Sequence, residues 1–356
     1  MKPESADTFG PQFAAALLRA EAAHIGRDAA RRLLAKQPRV AERYRPDAES
    51  KWAAAVESRV HELAAAIAVS QVQLFRSCVL WAKVAFEARG VPESDLESSL
   101  VALGEVLSER LTPEDATIAT EYVTHAIDAI RVHDHMVSSD ATRRSPMADL
   151  ADSFMLALLE GDRNRACRVL VDEAQRGADV RAIYDNVIIP VMTDLGRMWH
   201  VGEITVAEEH FATATTLMAM SQLHPYIKRK PATGRTMIAA SVDGNSHELG
   251  VRMVADAFES EGWRVVYLGP SVPAQDLAHA VLDFGADLLA LSVALPTQIQ
   301  IVTDTIAVIR HACQGRQPFI IVGGLAFAEC PDAWKTTGAD AFATSPADAV
   351  SKYSAA

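Results

Sequence analysis

Trp199 and His200 stand side by side, and nine intervening residues after the Trp comes the pair Glu209-His210. Further along, directly after the apolar run Thr236–Ser241, lies Asp243-Gly-Asn-Ser-His-Glu-Leu-Gly250. A neutral imidazole is a common transition-metal ligand. In the turn that follows a strand, His247-x-x-Gly250 would present its ring nitrogen where open parallel sheets bind ligands. The indole of Trp199 is a flat apolar wall. Glu209 can accept hydrogen bonds from hydroxyl groups, and His210 can donate or stack. Each residue also has an ordinary reading: His247 as a polar helix start, Trp199 as a core aromatic, Glu209 and His210 as a solvated helix face. Their joint spacing favours a site.

No other constellation competes. The chain has no Ser-His-Asp order, no Walker loop and no phosphate-type G-x-G-x-x-G, so the expectation is a protein that is not an enzyme. His133-Asp-His135 offers either a metal pair or a solvated cluster near a helix end. The 356 residues carry a net charge of −12, which argues against nonspecific nucleic-acid or anionic-membrane binding through bulk electrostatics. The four cysteines, Cys78, Cys167, Cys313 and Cys330, are scattered without metal spacing, as for reduced cytosolic thiols. No signal peptide and no membrane-length apolar run is visible. A soluble cytoplasmic protein with no membrane partner is expected.

The elements that must position these residues fall into three parts. Residues 1–143 form a helical N-terminal domain of globin-like size, serving sensing or dimerisation. Within it Gly90-Val-Pro92 stops one helix, and Thr112-Pro-Glu-Asp115 starts another with an N-cap, a proline and acids facing the positive helix end. Residues 147–228 read as a four-helix cap, with Pro190 a kink or boundary inside the third helix. Residues 235–356 change period: short apolar runs at 236–241, 264–268, 287–293, 318–322 and 340–344 alternate with amphipathic stretches. Five strands with intervening helices fit a flavodoxin-like, Rossmann-type α/β domain. In such a sheet residues 243–250, Ser292 and Gly323-Gly324 converge at the carboxyl edge.

The sheet domain resembles the cobalamin-binding domain, whose pattern is acid-x-His-x-x-Gly, a Ser-containing strand end, then Gly-Gly. The resemblance implies that His247 is the lower axial cobalt ligand, displacing the nucleotide base, and that Gly250 leaves room for the corrin rim. It implies that Ser292 meets the displaced base and that Gly323 and Gly324 let the nucleotide tail pass between strands, where any Cβ would collide. Asn245 stands where the family carries a carboxylate, so it can orient the ring but lends it less charge. Ser292-Val-Ala-Leu295 departs from the simpler Ser-x-Leu form.

The cap resembles that of the light-sensing adenosylcobalamin proteins. This implies that Trp199 occupies the upper cobalt face, that Glu209 and His210 meet the adenosyl ribose, and that His200 takes the vacated upper site after photolysis. The function implied is a photoreceptor in which light breaks the Co–C bond and changes conformation or oligomeric state. A corrinoid methyl carrier for a methyltransferase, or a light-independent cobalamin sensor, are the alternatives.

Light-dependent repressors of this family carry a helix-turn-helix module at the N-terminus. Here that segment is longer, acidic in places and lacks a basic recognition helix, so no direct DNA binding is expected; a homo-oligomer with light-dependent assembly and a downstream protein partner are. A helical domain of this size resembles the photocobilins, which pair cobalamin with biliverdin. Trp52, His61, Phe75, Trp81, His125 and His133 would then line a tetrapyrrole pocket, non-covalently, because Cys78 lies in an apolar helix. The alternative is a plain helical dimerisation domain.

Overall fold

The computed structural model describes residues 10–132, 145–328 and 330–354. The first stretch is helical throughout: α1 (Pro11–Lys36), α2 (Pro38–Arg43), α3 (Ala48–Ala68), α4 (Val72–Ala88), α5 (Glu93–Arg110) and α6 (Pro113–Val132). Three of these begin on proline, where the missing N–H has no intrahelical partner to lose. Thr112 Oγ1 accepts from the backbone N–H of Asp115 at 3.3 Å, the N-cap that the sequence signalled. Gly26 sets the spacing of α1 against α3, since a Cβ there would lie 2.8 Å from the Ala53 carbonyl oxygen. Trp52 is buried in an apolar cluster with Leu33 and Val40, edge-on to Tyr44 at 5.6 Å and Phe86 at 6.0 Å. These helices form one compact unit together with Leu295–Thr303 and Leu325–Thr337.

The second unit starts with a helical layer: α7 (Ala148–Leu159), α8 (Arg163–Gln175), α9 (Val180–Ile183), α10 (Ile189–His200) and α11 (Val206–Leu223). The third of the four expected helices is divided here. Between α9 and α10 the chain makes a π-helical turn, Tyr184–Ile188, in which the Ile189 N–H reaches back to the Tyr184 carbonyl. Pro190 is the cause the sequence offered. It cannot donate to the carbonyl four residues back, and that carbonyl, of Asn186, accepts the Ser145 hydroxyl instead.

The sheet domain contains β1 (Thr236–Val242), α12 (Leu249–Ser260), β2 (Arg264–Val272), α13 (Ala274–Phe284), β3 (Leu288–Ser292), α14 (Ile299–Ala312), β4 (Phe319–Gly323), β5 (Ala341–Ala343) and α15 (Pro346–Ser354). Strand order is β2-β1-β3-β4-β5, all parallel, the doubly wound flavodoxin-like arrangement. β1 is buried along its whole length, which is why its sequence is continuously apolar instead of alternating. β2 runs further than expected, to Val272, because register shifts against β1 and positive φ at Gly269 and Ser271 let the edge strand continue past its apolar run.

The helical layer is fastened to α12. Met253 of α12 is part of its core. Around that contact the Tyr184 hydroxyl donates to Asp256 at 2.7 Å, Arg181 pairs with Glu261 at 2.8 Å, and His224 meets Glu259 at 2.7 Å. Burial pushes both the Tyr184 phenol and the Asp256 carboxyl up from their ordinary values, so the hydroxyl donor is retained at neutral pH.

In the first unit, Glu62 pairs with Arg59 at 2.6 Å while its Oε2 is buried with no partner. Burial pushes this carboxyl up to about 7, only partly offset by Arg59. A raised carboxyl binds a proton in the folded state that the unfolded chain has released. Stability from this group is therefore full below the ordinary value of 4.5 and is lost as pH rises through about 7. Glu62→Gln should remove that loss, raising the unfolding free energy at pH 8 by ~1–3 kcal/mol while changing little at pH 4.5. Urea melts at the two pH values check this; an equal effect at both would contradict it.

Candidate functional site

The carboxyl ends of β1, β3 and β4 lie in register, Ser241 beside Ser292 and Ser292 beside Gly323. The segment from Asp243 to Glu248 joins β1 to α12 and carries His247, which is exposed, as is Gly250. The loop is held from three strands. Ser241 Oγ donates to the His247 carbonyl at 3.0 Å, and the Ser271 N–H at the end of β2 donates to the Asn245 carbonyl at 3.1 Å. Asn245 is fully buried; its Oδ1 accepts from the His247 N–H at 3.1 Å, and its Nδ2 donates to the Ser292 carbonyl at 3.0 Å. The same Oδ1 lies 3.1 Å from His247 Nδ1.

The glycines have separate reasons. A Cβ on Gly323 would lie 2.9 Å from the Ala343 carbonyl oxygen. Gly324 has φ +115°, and a Cβ there would lie 2.2 Å from the Val293 carbonyl oxygen. No side chain fits either place, because the Ala343 and Val293 backbone already fills it, so the β4 end is bare backbone. Gly250 faces open space, with no neighbour within 4 Å of the place a Cβ would take.

In the helical layer Trp199 packs partly buried against the core, and His200, the last residue of α10, is 6% exposed. A short turn leads to α11, whose start is fixed by a capping box: Thr205 N donates to Glu208 Oε2 at 2.7 Å, and Glu208 N to Thr205 Oγ1 at 3.3 Å. That cap places Glu209 and His210 in the first turn. Glu209 Oε2 meets His210 Nδ1 at 2.7 Å and its Oε1 accepts from Thr213 at 2.8 Å, so the carboxylate is already oriented while the His210 ring projects outward. Trp199, His200, Glu209 and His210 thus flank one interhelical turn, at one end of the layer.

Asn245, His247 and Ser292 are therefore linked by hydrogen bonds, and Gly323 and Gly324 border the same edge. Leu295 belongs with the N-terminal helices, 48% exposed, its N–H bonded to Gln298 Oε1 at 3.0 Å. Ser241 and Ser271 were not anticipated as site residues. Ser241 was legible as a polar residue ending an apolar strand; Ser271 was not, because only the parallel pairing of β2 with β1 delivers it. In the N-terminal unit the proposed tetrapyrrole residues occupy different environments: Trp52 and Phe75 are core, Trp81 is half-exposed, and His125 sits on the surface 3.8 Å from Glu121. His61 is partly buried on α3, and His133 and His135 lie outside the described residues. The half-buried Cys78 thiol is pushed up to about 12, chiefly by desolvation, as an unreactive cysteine should be.

Comparison with known proteins gives this arrangement a class. Residues 235–351 match the B12 binding domain family, and residues 150–224 match a second B12 binding domain model. The chain thus carries B12-binding domains: a helical cap followed by a parallel five-stranded α/β domain. Among curated relatives it is 30% identical to the HTH-type transcriptional repressor CarA of Myxococcus xanthus, over 54% of this chain and 64% of that protein. It is 31% identical to CarH of the same organism, over 51% of this chain and 60% of that one. In both cases the match spans less than two thirds of the relative's length. The monomethylamine corrinoid protein of Methanosarcina barkeri shares the fold, with a TM-score of 0.52 and 18% identity over 58% of this chain and 97% of that one.

One expectation is overturned. Direct DNA binding was excluded on charge and on the missing basic helix, yet both relatives are named as helix-turn-helix transcriptional repressors. Net charge sums over the whole chain, whereas DNA contact needs only a local basic surface, so the sum excludes little. No helix among the described residues is long and apolar enough to cross a membrane.

The glycines give a paired test. Gly324→Ala should cost ~2–4 kcal/mol in urea unfolding, from positive φ and the carbonyl clash. Gly250→Ala, with ordinary φ and open space, should leave stability within ~1 kcal/mol while weakening cobalamin retention. Equal stability losses would show that Gly250 is kept for the fold.

Proposed function

We propose that this chain is a light sensor that holds adenosylcobalamin between the four-helix cap and the carboxyl edge of its sheet, and that it acts as a sensor and not as a catalyst. The observation that carries the proposal is the clustering of Trp199, His200, Glu209 and His210 around one turn of a B12-binding cap. The residues fit the group. His247 is exposed at the sheet edge with one ring nitrogen already engaged, and Gly323 and Gly324 leave the neighbouring β4 end without side chains. When bound, adenosylcobalamin supplies a cobalt–carbon bond that light breaks.

His247 would hold the lower face of the cobalt, with Ser292 at the nucleotide base and Gly323 and Gly324 along the tail. Trp199 would wall the upper face, and the Glu209 carboxylate, held by His210 and Thr213, would accept from the ribose hydroxyls. His200 would hold the upper face once the adenosyl group has left. Because it is buried, it must first be uncovered, and α10 cannot release it without disturbing the neighbouring Trp199. Such a displacement would pass along α10 towards the π turn and the Tyr184–Asp256 bond, and so to the shape or assembly of the chain. A methyl-carrier role would not call for an indole wall and an oriented carboxylate at that turn.

The finer part of the proposal gives the N-terminal helices a bilin. Its support is the size of that unit and the partnerless buried Oε2 of Glu62, an acceptor suited to pyrrole N–H donors. Biliverdin added to the full chain should give a red-absorbing complex that Glu62→Ala weakens; no complex would leave a plain helical domain.

With adenosylcobalamin bound, green light should change the absorbance spectrum, and the methyl form should bind more weakly. His247→Ala should lose cobalamin or shift its spectrum to a base-off form, and His200→Ala should alter the light-state spectrum alone. An unchanged spectrum in His247→Ala would end the ligand assignment.

A further inference from the structure

We infer that Asn245 is a positioning residue whose carboxamide is required as an amide: it fixes which nitrogen of His247 is free and ties that imidazole to the end of β3. The inference rests on the proposed role of His247. Every class of hydrogen-bonding group on Asn245 has a partner. Its N–H donates to the Val242 carbonyl at 3.0 Å and its carbonyl accepts from Ser271 at 3.1 Å, while Oδ1 and Nδ2 serve His247 and Ser292. The orientation of the amide is not free. Its two ends face a backbone N–H and a backbone carbonyl, and only one assignment of oxygen and nitrogen satisfies both.

The tautomer of His247 follows. Oδ1 can only accept, so at 3.1 Å the ring Nδ1 must carry the hydrogen. Nε2 is then left with its lone pair, as a neutral ligand nitrogen. A carboxylate in place of Asn245 could also accept from Nδ1, but it could not donate to Ser292. Its second oxygen would face a carbonyl oxygen in a buried place, two acceptors without a hydrogen between them. The amide therefore does two jobs at once, whereas a carboxylate would do one. Asn245 sets the ligand nitrogen and also fastens the β1 loop to the β3 terminus, where Ser292 lies. Ring orientation and strand-end spacing are coupled through one side chain.

The test uses the full chain without cofactor, labelled with 15N-histidine, at about pH 8.5, well above the ordinary imidazole range. His247→Ala identifies the resonance. The parent should show the Nδ1–H tautomer for His247, and Asn245→Ala should shift it towards Nε2–H. Asn245→Asp should keep Nδ1–H, yet unfold at lower urea and hold cobalamin less well than the parent. The expected loss of cobalamin affinity is about 10- to 100-fold for Asn245→Ala, and smaller for Asn245→Asp. If Asn245→Ala does not fold, Asn245→Asp alone decides: parental stability and retention would overturn the amide requirement. A parent showing Nε2–H would overturn the tautomer assignment. Should His247→Ala retain cobalamin with an unchanged spectrum, the ligand reading fails while the tautomer result still stands on its own.

Discussion

The site depends on a buried carboxamide at the point where three parallel strands end. Parallel strands deliver their carboxyl ends to one edge but leave the groups there unpaired, because no further strand residue follows to satisfy them. Asn245 answers β1 and β2 with its main chain and β3 with its side chain, at zero exposure. The loop carrying His247 is therefore rigid at its root and open at its tip. A ligand residue on such a loop is held in place before anything binds, so less of the binding free energy goes into ordering it.

The helical layer is joined to the same domain by fewer, more polar contacts. Tyr184, Arg181 and His224 each meet an acid on α12 or just beyond it, while Met253 of α12 enters the layer's core and Leu249 packs against it. Two of those contacts start from α9 or from the π turn that follows it, upstream of Trp199 and His200. A π turn is a place where one helix holds two hydrogen-bond registers in close competition. The residues proposed to meet the cofactor's upper face and those that anchor the cap thus share one helical stretch. That is the simplest physical route from the site to the rest of the chain.

The N-terminal unit is a helical assembly with its own core around Trp52 and an internal Arg59–Glu62 pair. It also takes in Leu295–Thr303 and Leu325–Thr337, segments that follow β3 and β4 in sequence. Chain order alone would leave those segments with the sheet domain. The boundary drawn at residue 235 therefore describes where the sheet begins, not which residues pack with it.

The sequence by itself determined the element types and the order of the layers, because both are local. Periodicity of 3.6 or continuous apolar runs, proline at helix starts and Gly-Gly after a strand each act over a few residues. It also picked out His247 and the Trp199–His210 group, since their spacing is fixed within single helices and turns. Only the tertiary structure decided the rest. Ser271 reaches Asn245 because β2 pairs beside β1, and His200 is buried because α10 packs into the cap core. Leu295 opens a segment that packs with the N-terminal helices. Asn245 is the clearest case. In the sequence it was a carboxylate replaced by a weaker partner; in the fold its extra hydrogens face a carbonyl from a strand 47 residues away, which no local pattern could reveal.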